Sequence, residues 1–194
     1  AKALSGTYNT FQQAAKSLIE SGKKIDIVDS RQNSGAEGLL VMKAAEMIKE
    51  GKSHEAVVET LKELRQKTKI FVSVNTLKYM VRSGRVGKVT GVAGKIINLK
   101  PVITLDESGA GQILDKAFST ASNTKKIAKR VGEAYERNAD LRYVIIHAGA
   151  KKRAEEYRKL FSKRLNKKPE YIMSISPIVA MSAGVGCVAV AVME

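Results

Sequence analysis

The stretch Ile25-Asp26-Ile27-Val28-Asp29-Ser30 predicts a short apolar strand over Ile25–Val28, with Asp29 and Ser30 at its C-terminal end. A helical pattern over 36–50 follows it and closes at Gly51, which is the residue type expected just past a last helical turn. Ser53 then caps a second helical pattern that runs to about Lys67. A strand followed by helices is typical of parallel strands covered by helices. This stretch therefore predicts an α/β fold.

The rest of the chain continues to alternate between helical and strand patterns. A helical pattern over 8–21 precedes the opening stretch, and a short helix capped by Thr76 ends at Gly84. Further helices are predicted near 89–97, 122–138 and 150–165, and strands near 70–74, 99–105, 112–118, 142–147, 171–176 and 186–192. Because the pattern changes at Lys69, we predict a lobe boundary near Thr68.

The composition indicates a soluble globular protein with a real core. Of its 194 residues, 44% are hydrophobic, and its one cysteine, Cys187, excludes a disulfide framework. A single buried thiol is compatible with a reducing compartment, so we expect a cytoplasmic protein. The long apolar stretch 171–193 is interrupted by serines, glycines and Pro177. We therefore interpret it as buried strand, turn and strand and expect no membrane span.

The net charge of +15 is concentrated in one segment. Residues 116–168 contain sixteen Lys or Arg against five Asp or Glu. Within this segment an apolar stripe recurs at helical spacing, while basic residues occupy the other faces; the stripe consists of Ala154, Tyr157, Phe161 and Leu165. A solvated outer face of a helix that covers a sheet is the favoured interpretation. A basic nucleic-acid-binding module that uses the 116–168 face is the alternative.

Few residues suggest catalysis. His54 lies in the polar first turn of a helix, and His147 ends an apolar strand and points towards a loop. The sequence Gly184-Val185-Gly186 lacks the third glycine and the following helix of a dinucleotide-binding fingerprint. Nothing supplies a set of metal ligands at the usual spacing. We therefore expect a protein that is not an enzyme and that needs no metal or cofactor.

Ser5-Gly6-Thr7 stands directly before the helical pattern over 8–21. A helix entrance offers free backbone N–H groups and a partial positive charge, and small hydroxyl residues add further donors. Such an entrance can hold a carboxylate or a phosphate. Ser5 can equally serve as an ordinary helix cap. The residues alone leave both interpretations open.

Several segments, taken in order, carry a resemblance to one protein family. Leu4-Ser5-Gly6-Thr7-Tyr8, Val28-Asp29-Ser30 and Gly38-Leu39-Leu40-Val41 resemble the first lobe of the DegV family. Asn75-Thr76-Leu77-Lys78-Tyr79-Met80 with Ser83-Gly84-Arg85-Val86 is similar to that family's D-T-L-x-Y-L…G-G-R-I segment. Lys100-Pro101-Val102 resembles its K-P-I, and Ile146-His147-Ala148 resembles its I-H-A. The set runs in the family's order over almost the whole chain.

The resemblance implies a two-lobed α/β protein that holds a long-chain fatty acid, such as palmitate, between its lobes. Residues 1–68 would be the remainder of a first lobe with a partial parallel sheet. Residues 69–194 would be a second α+β lobe with a mixed sheet covered by helices. The family's Ser-Gly-Thr segment, here Ser5, Gly6 and Thr7, holds the ligand carboxylate. Some members present the bound acid to a fatty acid kinase, which implies carriage rather than catalysis.

Other positions follow or depart from the family pattern. Ser182 stands where the family's H-T-G-P-G segment has histidine, and we expect it to bind the ligand as a hydrogen-bond donor. Arg85 and His147 are candidate pocket or partner contacts. Phe118 lies where the family often has arginine, in Lys-x-Arg-Thr. The departures at Ser182 and Phe118 weigh against kinase coupling. The resemblance begins part of the way into the first lobe, so we expect an N-terminally truncated sequence.

Overall fold

The computed structural model describes residues 1–86 and 99–194. Their elements are α1 (Thr7–Glu20), α2 (Ser34–Lys49), α3 (His54–Lys67), β1 (Thr68–Ser73), α4 (Lys78–Arg82), β2 (Val102–Leu105), β3 (Gly111–Asp115), α5 (Thr120–Arg137), β4 (Arg142–His147), α6 (Lys151–Arg164), β5 (Ile172–Ser174), α7 (Pro177–Ala183) and β6 (Val188–Met193). The predicted cap of α3 is confirmed, because Ser53 Oγ accepts a hydrogen bond from the backbone N–H of Ala56. The helix predicted near 89–97 lies outside the described residues.

The strands form one mixed sheet in the order β3-β2-β1-β6-β4-β5. Among the described strands, β4 and β5 form the one parallel pair, and α6 connects them. The neighbouring pairs β3–β2, β2–β1, β1–β6 and β6–β4 are antiparallel. The predicted α/β class with a mixed sheet covered by helices is confirmed.

Helices cover both faces of the sheet, and β6 shows how the sequence divides between them. Its valines at 188, 190 and 192 pack against α5 and α6, together with the predicted stripe of Ala154, Tyr157, Phe161 and Leu165. The alternate residues Ala189, Ala191 and Met193 join a second core with Ala36, Leu39 and Leu40 of α2. Since successive strand residues point to opposite faces, a fully apolar strand is expected where both faces are covered.

The start of α2 lies close to β4. A Cβ atom added to Gly35 would stand 2.7 Å from Cγ2 of Val144, so glycine is the residue that permits this approach. Although α2 precedes Thr68 in the chain, it packs on β1, β4 and β6. The boundary near Thr68 stays a prediction.

The strand predicted for Ile25–Val28 is wrong. These residues join no ladder, because no described strand pairs with their backbone groups. Contacts with α3 hold the segment instead. The imidazole of His54 lies 2.7 Å from Asp26 Oδ2, and Arg65 Nη1 donates to the backbone oxygen of Asp29 at 2.8 Å.

The interpretation of 171–193 as strand, turn and strand is wrong in its middle. Pro177 opens a short helix, α7, where the fixed φ of proline suits a first helical position. The first strand of the stretch, β5, is partly exposed rather than buried. Among the helices of the described ranges, none is both long enough and apolar enough to cross a bilayer.

Candidate functional site

A cleft of about 1230 Å³ lies over part of the α2-side face of the sheet. Its floor is apolar and comes from four strands: Ile70, Val72, Ile103, Leu105, Ile146 and Ala189. The cleft is larger than the roughly 300–1,000 Å³ of most small-molecule sites. Val144 and Ala191 lie on the same face of the sheet but do not line the cleft. The cleft can therefore accept a long apolar group directly on the sheet.

Two groups of segments form the walls. One consists of the chain around the start of α1, the extended segment 27–30 and the first turn of α2. The other consists of α4 and α7 with the residues that follow them, including Tyr79, Met80, Ile178 and Met181. Ile178 and Met181 are 72% and 70% exposed, which is unusual for large apolar side chains. The sequence interpretation missed these α7 residues because it assigned them to a turn.

Ser5 takes part in a local turn at the entrance of α1. Its Oγ accepts from the backbone N–H of Thr7 at 3.2 Å and lies 2.7 Å from Thr7 Oγ1. The N-cap residue of α1 is Gly6, which has no side chain that could cap the helix. Within the described part of the chain, the N–H groups of Gly6, Tyr8 and Asn9 have no hydrogen-bond partner. The entrance therefore combines a turn-forming serine with backbone donors that remain available.

The structure brings four of the predicted site residues to one cleft. Ser5 and Thr7 line one wall, and Ser182 and Arg85 line the other. Gly6 lies between two lining residues without lining the cleft itself. His147 is buried and does not line it, and its Nδ1 accepts from the N–H of Ala150 at 3.3 Å, just before α6. The roles of these residues in ligand binding stay predictions.

The two acidic residues of the cleft wall already have partners. Burial raises the pKa of Asp29, but hydrogen bonds from the backbone N–H groups of Lys2 and Arg31, with the nearby charge of Arg65, outweigh it and lower the pKa. Glu37 accepts from Ser30 Oγ at 3.2 Å. The lining cations Lys2, Arg82 and Arg85 form no ion pair with any described residue. The cleft is therefore better suited to an anion than to a cation.

Titratable groups that could carry chemistry are scarce. Over residues 1–86 and 99–194, no three His, Cys, Asp or Glu side chains come together as a metal site would require. Cys187 lines the cleft at its base, and desolvation raises the pKa of its thiol. The protonated thiol behaves as a small apolar group there. The arrangement can bind a ligand with an apolar body and an anionic end.

The cations of 116–168 are partly used inside the fold. Arg130 pairs with Asp115 and Glu133, and Arg158 pairs with Glu155. Arg142 bridges Glu46 of α2 and Glu170 before β5. The pairs of Arg130 with Asp115 and of Arg142 with Glu46 and Glu170 join separate parts of the chain, and all of these pairs neutralise part of the positive charge. They favour the structural interpretation of this segment over the nucleic-acid-binding module.

Comparison with known proteins identifies relatives over the whole chain. The family model for uncharacterised proteins of the DegV family matches residues 1–194. A DegV domain-containing protein of Clostridium perfringens is 35% identical over 193 residues, which are 98% of this chain and 67% of that protein. One from Clostridium acetobutylicum is 30% identical, with the same two coverages. The chain spans about two thirds of the length of these relatives.

Solved structures agree with the family match. A fatty-acid-binding DegV family protein from Streptococcus agalactiae superposes with a TM-score of 0.88 at 25% identity, covering 100% of this chain and 68% of that one. A DegV family protein from Thermus thermophilus, described by its fatty acid binding, superposes with a TM-score of 0.82 at 26% identity. The match covers 100% of this chain and 68% of that one. A stearic-acid-binding protein from Eubacterium ventriosum superposes with a TM-score of 0.89 at 24% identity. The match covers 99% of this chain and 67% of that one, and it shows that the two share a fold.

Proposed function

This chain belongs to the DegV family, and from that premise we propose that it binds a long-chain fatty acid in the cleft between its predicted lobes, 1–68 and 69–194. The single observation that carries the proposal is the cleft itself, which joins an apolar floor on the sheet to a helix entrance with available donors. The fatty-acid-binding relatives of the same fold support it.

The acyl chain would lie along the floor formed by β1, β2, β4 and β6. Each buried methylene contributes about 0.8 kcal/mol, so a chain of palmitate length draws most of its affinity from this surface. Ile70, Val72 and Ile146 are held by sheet hydrogen bonds, so the floor is rigid before the ligand arrives. A preformed apolar surface lowers the entropy that binding costs.

The carboxylate would bind at Ser5, Gly6 and Thr7. When the Thr7 hydroxyl donates to Ser5 Oγ, the Ser5 proton is left for the ligand. The N–H groups of Gly6 and Tyr8 can add further donors at the positive end of α1. Ser182 on the opposite wall supplies another hydroxyl. Hydrogen bonds to a charged acceptor are about twice as strong as neutral ones, so these groups fix the orientation of the acid.

Ser5→Ala tests the carboxylate site. We expect palmitate to bind at least about tenfold more weakly, because one hydrogen bond to a charged group, about 1.5 kcal/mol or more, is lost. Affinity is measured by displacement of a fluorescent fatty acid, and native mass spectrometry of the purified wild-type chain should show a co-purifying acid. Ser21→Ala is the matched control, since Ser21 Oγ donates to Leu18 O at the other end of α1. Absence of any lipid and of palmitate uptake in the wild type would reject the proposal.

We further propose that the protein carries the acid to a fatty acid kinase and performs no chemistry itself. The resemblance in family motifs supports this step, whereas Ser182 departs from the family's histidine. In an assay with ATP and a bacterial fatty acid kinase, we expect the Ser182→His variant to yield acyl phosphate faster than the wild type. If the wild type and the Ser182→His variant both bind palmitate but neither yields acyl phosphate, the proposed delivery to a kinase is wrong, whereas the proposed lipid binding is supported.

A further inference from the structure

The loop that joins α7 to β6, residues 184–187, begins two residues after Ser182 of the cleft wall. Gly184 and Gly186 have φ values of +85° and +84°, a region that other residues rarely adopt. Val185 between them lines the cleft and is 75% exposed. The path of this loop therefore decides where Val185 and Ser182 stand in the cleft.

Two backbone hydrogen bonds join the β6 end of the loop to Ala148. Gly186 donates its N–H to Ala148 O at 2.7 Å, and the N–H of Ala148 donates to Cys187 O at 3.0 Å. Towards α7, the N–H of Gly184 donates to Ala180 O at 2.8 Å. Asn75 Nδ2 reaches Val185 O at a long 3.4 Å, and the ring of Tyr79 lies against Gly184, where a Cβ would approach within 2.5 Å.

Arg153, in the first turn of α6, supplies the one charged contact to this loop from the described residues. Its Nη1 donates to Gly186 O at 2.7 Å, and its Nη2 donates to Ser73 Oγ at 2.8 Å. Ser73 ends β1, is 2% exposed and pairs with Val188 of β6. The planar guanidinium thus ties the loop to the fixed end of the sheet, a two-pronged contact that lysine cannot reproduce.

Arg153 and Arg158, both on α6, have different hydrogen-bond partners. Arg158 pairs with Glu155 on the same helix. Arg153 forms no ion pair with a described residue, and its donors go to a neutral carbonyl and a neutral hydroxyl. A half-buried charge without a counterion, aimed at a glycine loop, is costly to keep for packing alone.

We infer that Arg153 is a positioning residue for the fatty acid site. It acts through the 184–187 loop, which sets Val185 and Ser182 against the ligand, and it does not touch the ligand itself, since Arg153 does not line the cleft. The inference rests on the proposed function for its effect on affinity. Its structural half, the anchoring of the loop, can be measured without any ligand.

Arg153→Gln and the control Arg158→Gln in the full chain test this inference. Both remove one positive charge from α6. We expect Arg153→Gln to speed hydrogen exchange at the Gly186 amide about tenfold in the ligand-free protein and to raise the Kd for palmitate about tenfold. We expect Arg158→Gln to change neither. Arg153→Lys should resemble Arg153→Gln, because a single ammonium cannot bridge both acceptors.

Each outcome separates this inference from the proposed function. Unchanged exchange at Gly186 overturns the anchoring, and faster exchange with an unchanged Kd overturns the positioning role. If the wild type takes up no palmitate, the proposed function fails, and the exchange rate at Gly186 still supports or overturns the anchoring. Should Arg153→Gln fold poorly, Ser73→Ala, which removes one of the two acceptors, is measured for the same exchange and Kd changes.

Discussion

Ala189→Phe is expected to weaken palmitate binding about fiftyfold while the protein stays folded. Ala189 is buried in the α2 core but also lines the floor of the cleft, so the added ring would enter space that the acyl chain needs. Displacing about three methylenes at about 0.8 kcal/mol each gives this loss. Binding is measured by displacement of a fluorescent fatty acid, and folding by thermal unfolding. An unchanged Kd would show that the acyl chain does not lie on this part of the sheet.

Ala191→Phe is the matched control, two residues along the same strand on the same face. Ala191 is fully buried beneath α2 and does not line the cleft. The same ring has no free space there, and overpacking of this kind costs about 1–3 kcal/mol of stability. We therefore expect opposite results: Ala189→Phe lowers affinity, whereas Ala191→Phe lowers the unfolding temperature. Equal behaviour of the two variants would contradict the division of the sheet into a covered part and a cleft floor.

The helices and the central strands could be predicted from the sequence because their signals are local. Apolar spacing and the Ser53 cap place α3, and the stripe from Ala154 to Leu165 gives the buried face of α6. Whether neighbouring strands run parallel or antiparallel could not be predicted from these local signals. The alternation of strands and helices suggests parallel pairing, yet β1 and β6 at the centre run antiparallel, since pairing is decided by which strands meet in space.

The two wrong elements have a common cause. Ile25–Val28 has the composition of a strand, but a strand exists only where another strand accepts its hydrogen bonds. In α7, serine, proline and glycine in the stretch suggest a turn, yet Pro177 is well placed to begin a helix. Local composition identifies where the chain changes direction or extends. Local composition does not identify which other segments lie beside that part of the chain.

The candidate site shows the same limit. Ser5 is conspicuous in the sequence because it precedes a helix, and the resemblance adds Ser182, 177 positions later. Their placement on opposite walls of one cleft comes only from the fold. Arg153 carries no sequence signal of its own, since it is one of many basic residues on α6. Its importance follows from the two acceptors that the fold sets before it, Gly186 O and Ser73 Oγ.

Phe161→Ala is expected to lower the free energy of unfolding by about 3–5 kcal/mol, a large part of the 5–15 kcal/mol typical of a domain. Phe161 is fully buried between α6 and the sheet. Its ring meets those of Tyr157 and Tyr143 edge to face, with centroids 5.7 and 6.5 Å apart. The substitution removes both ring contacts and leaves a cavity in the core. Urea unfolding measures the change.

Leu160→Ala, at the preceding position on the same helix, is the control for this variant. Leu160 is 37% exposed, so its truncation should cost about 1 kcal/mol or less. Phe161 packs on the sheet face opposite the cleft, and the folded fraction of Phe161→Ala should therefore bind palmitate with the affinity of the wild type. A stability loss equal to that of Leu160→Ala would refute the packing of α6 on the core. A changed Kd in the folded fraction would show that the two faces of the sheet are coupled.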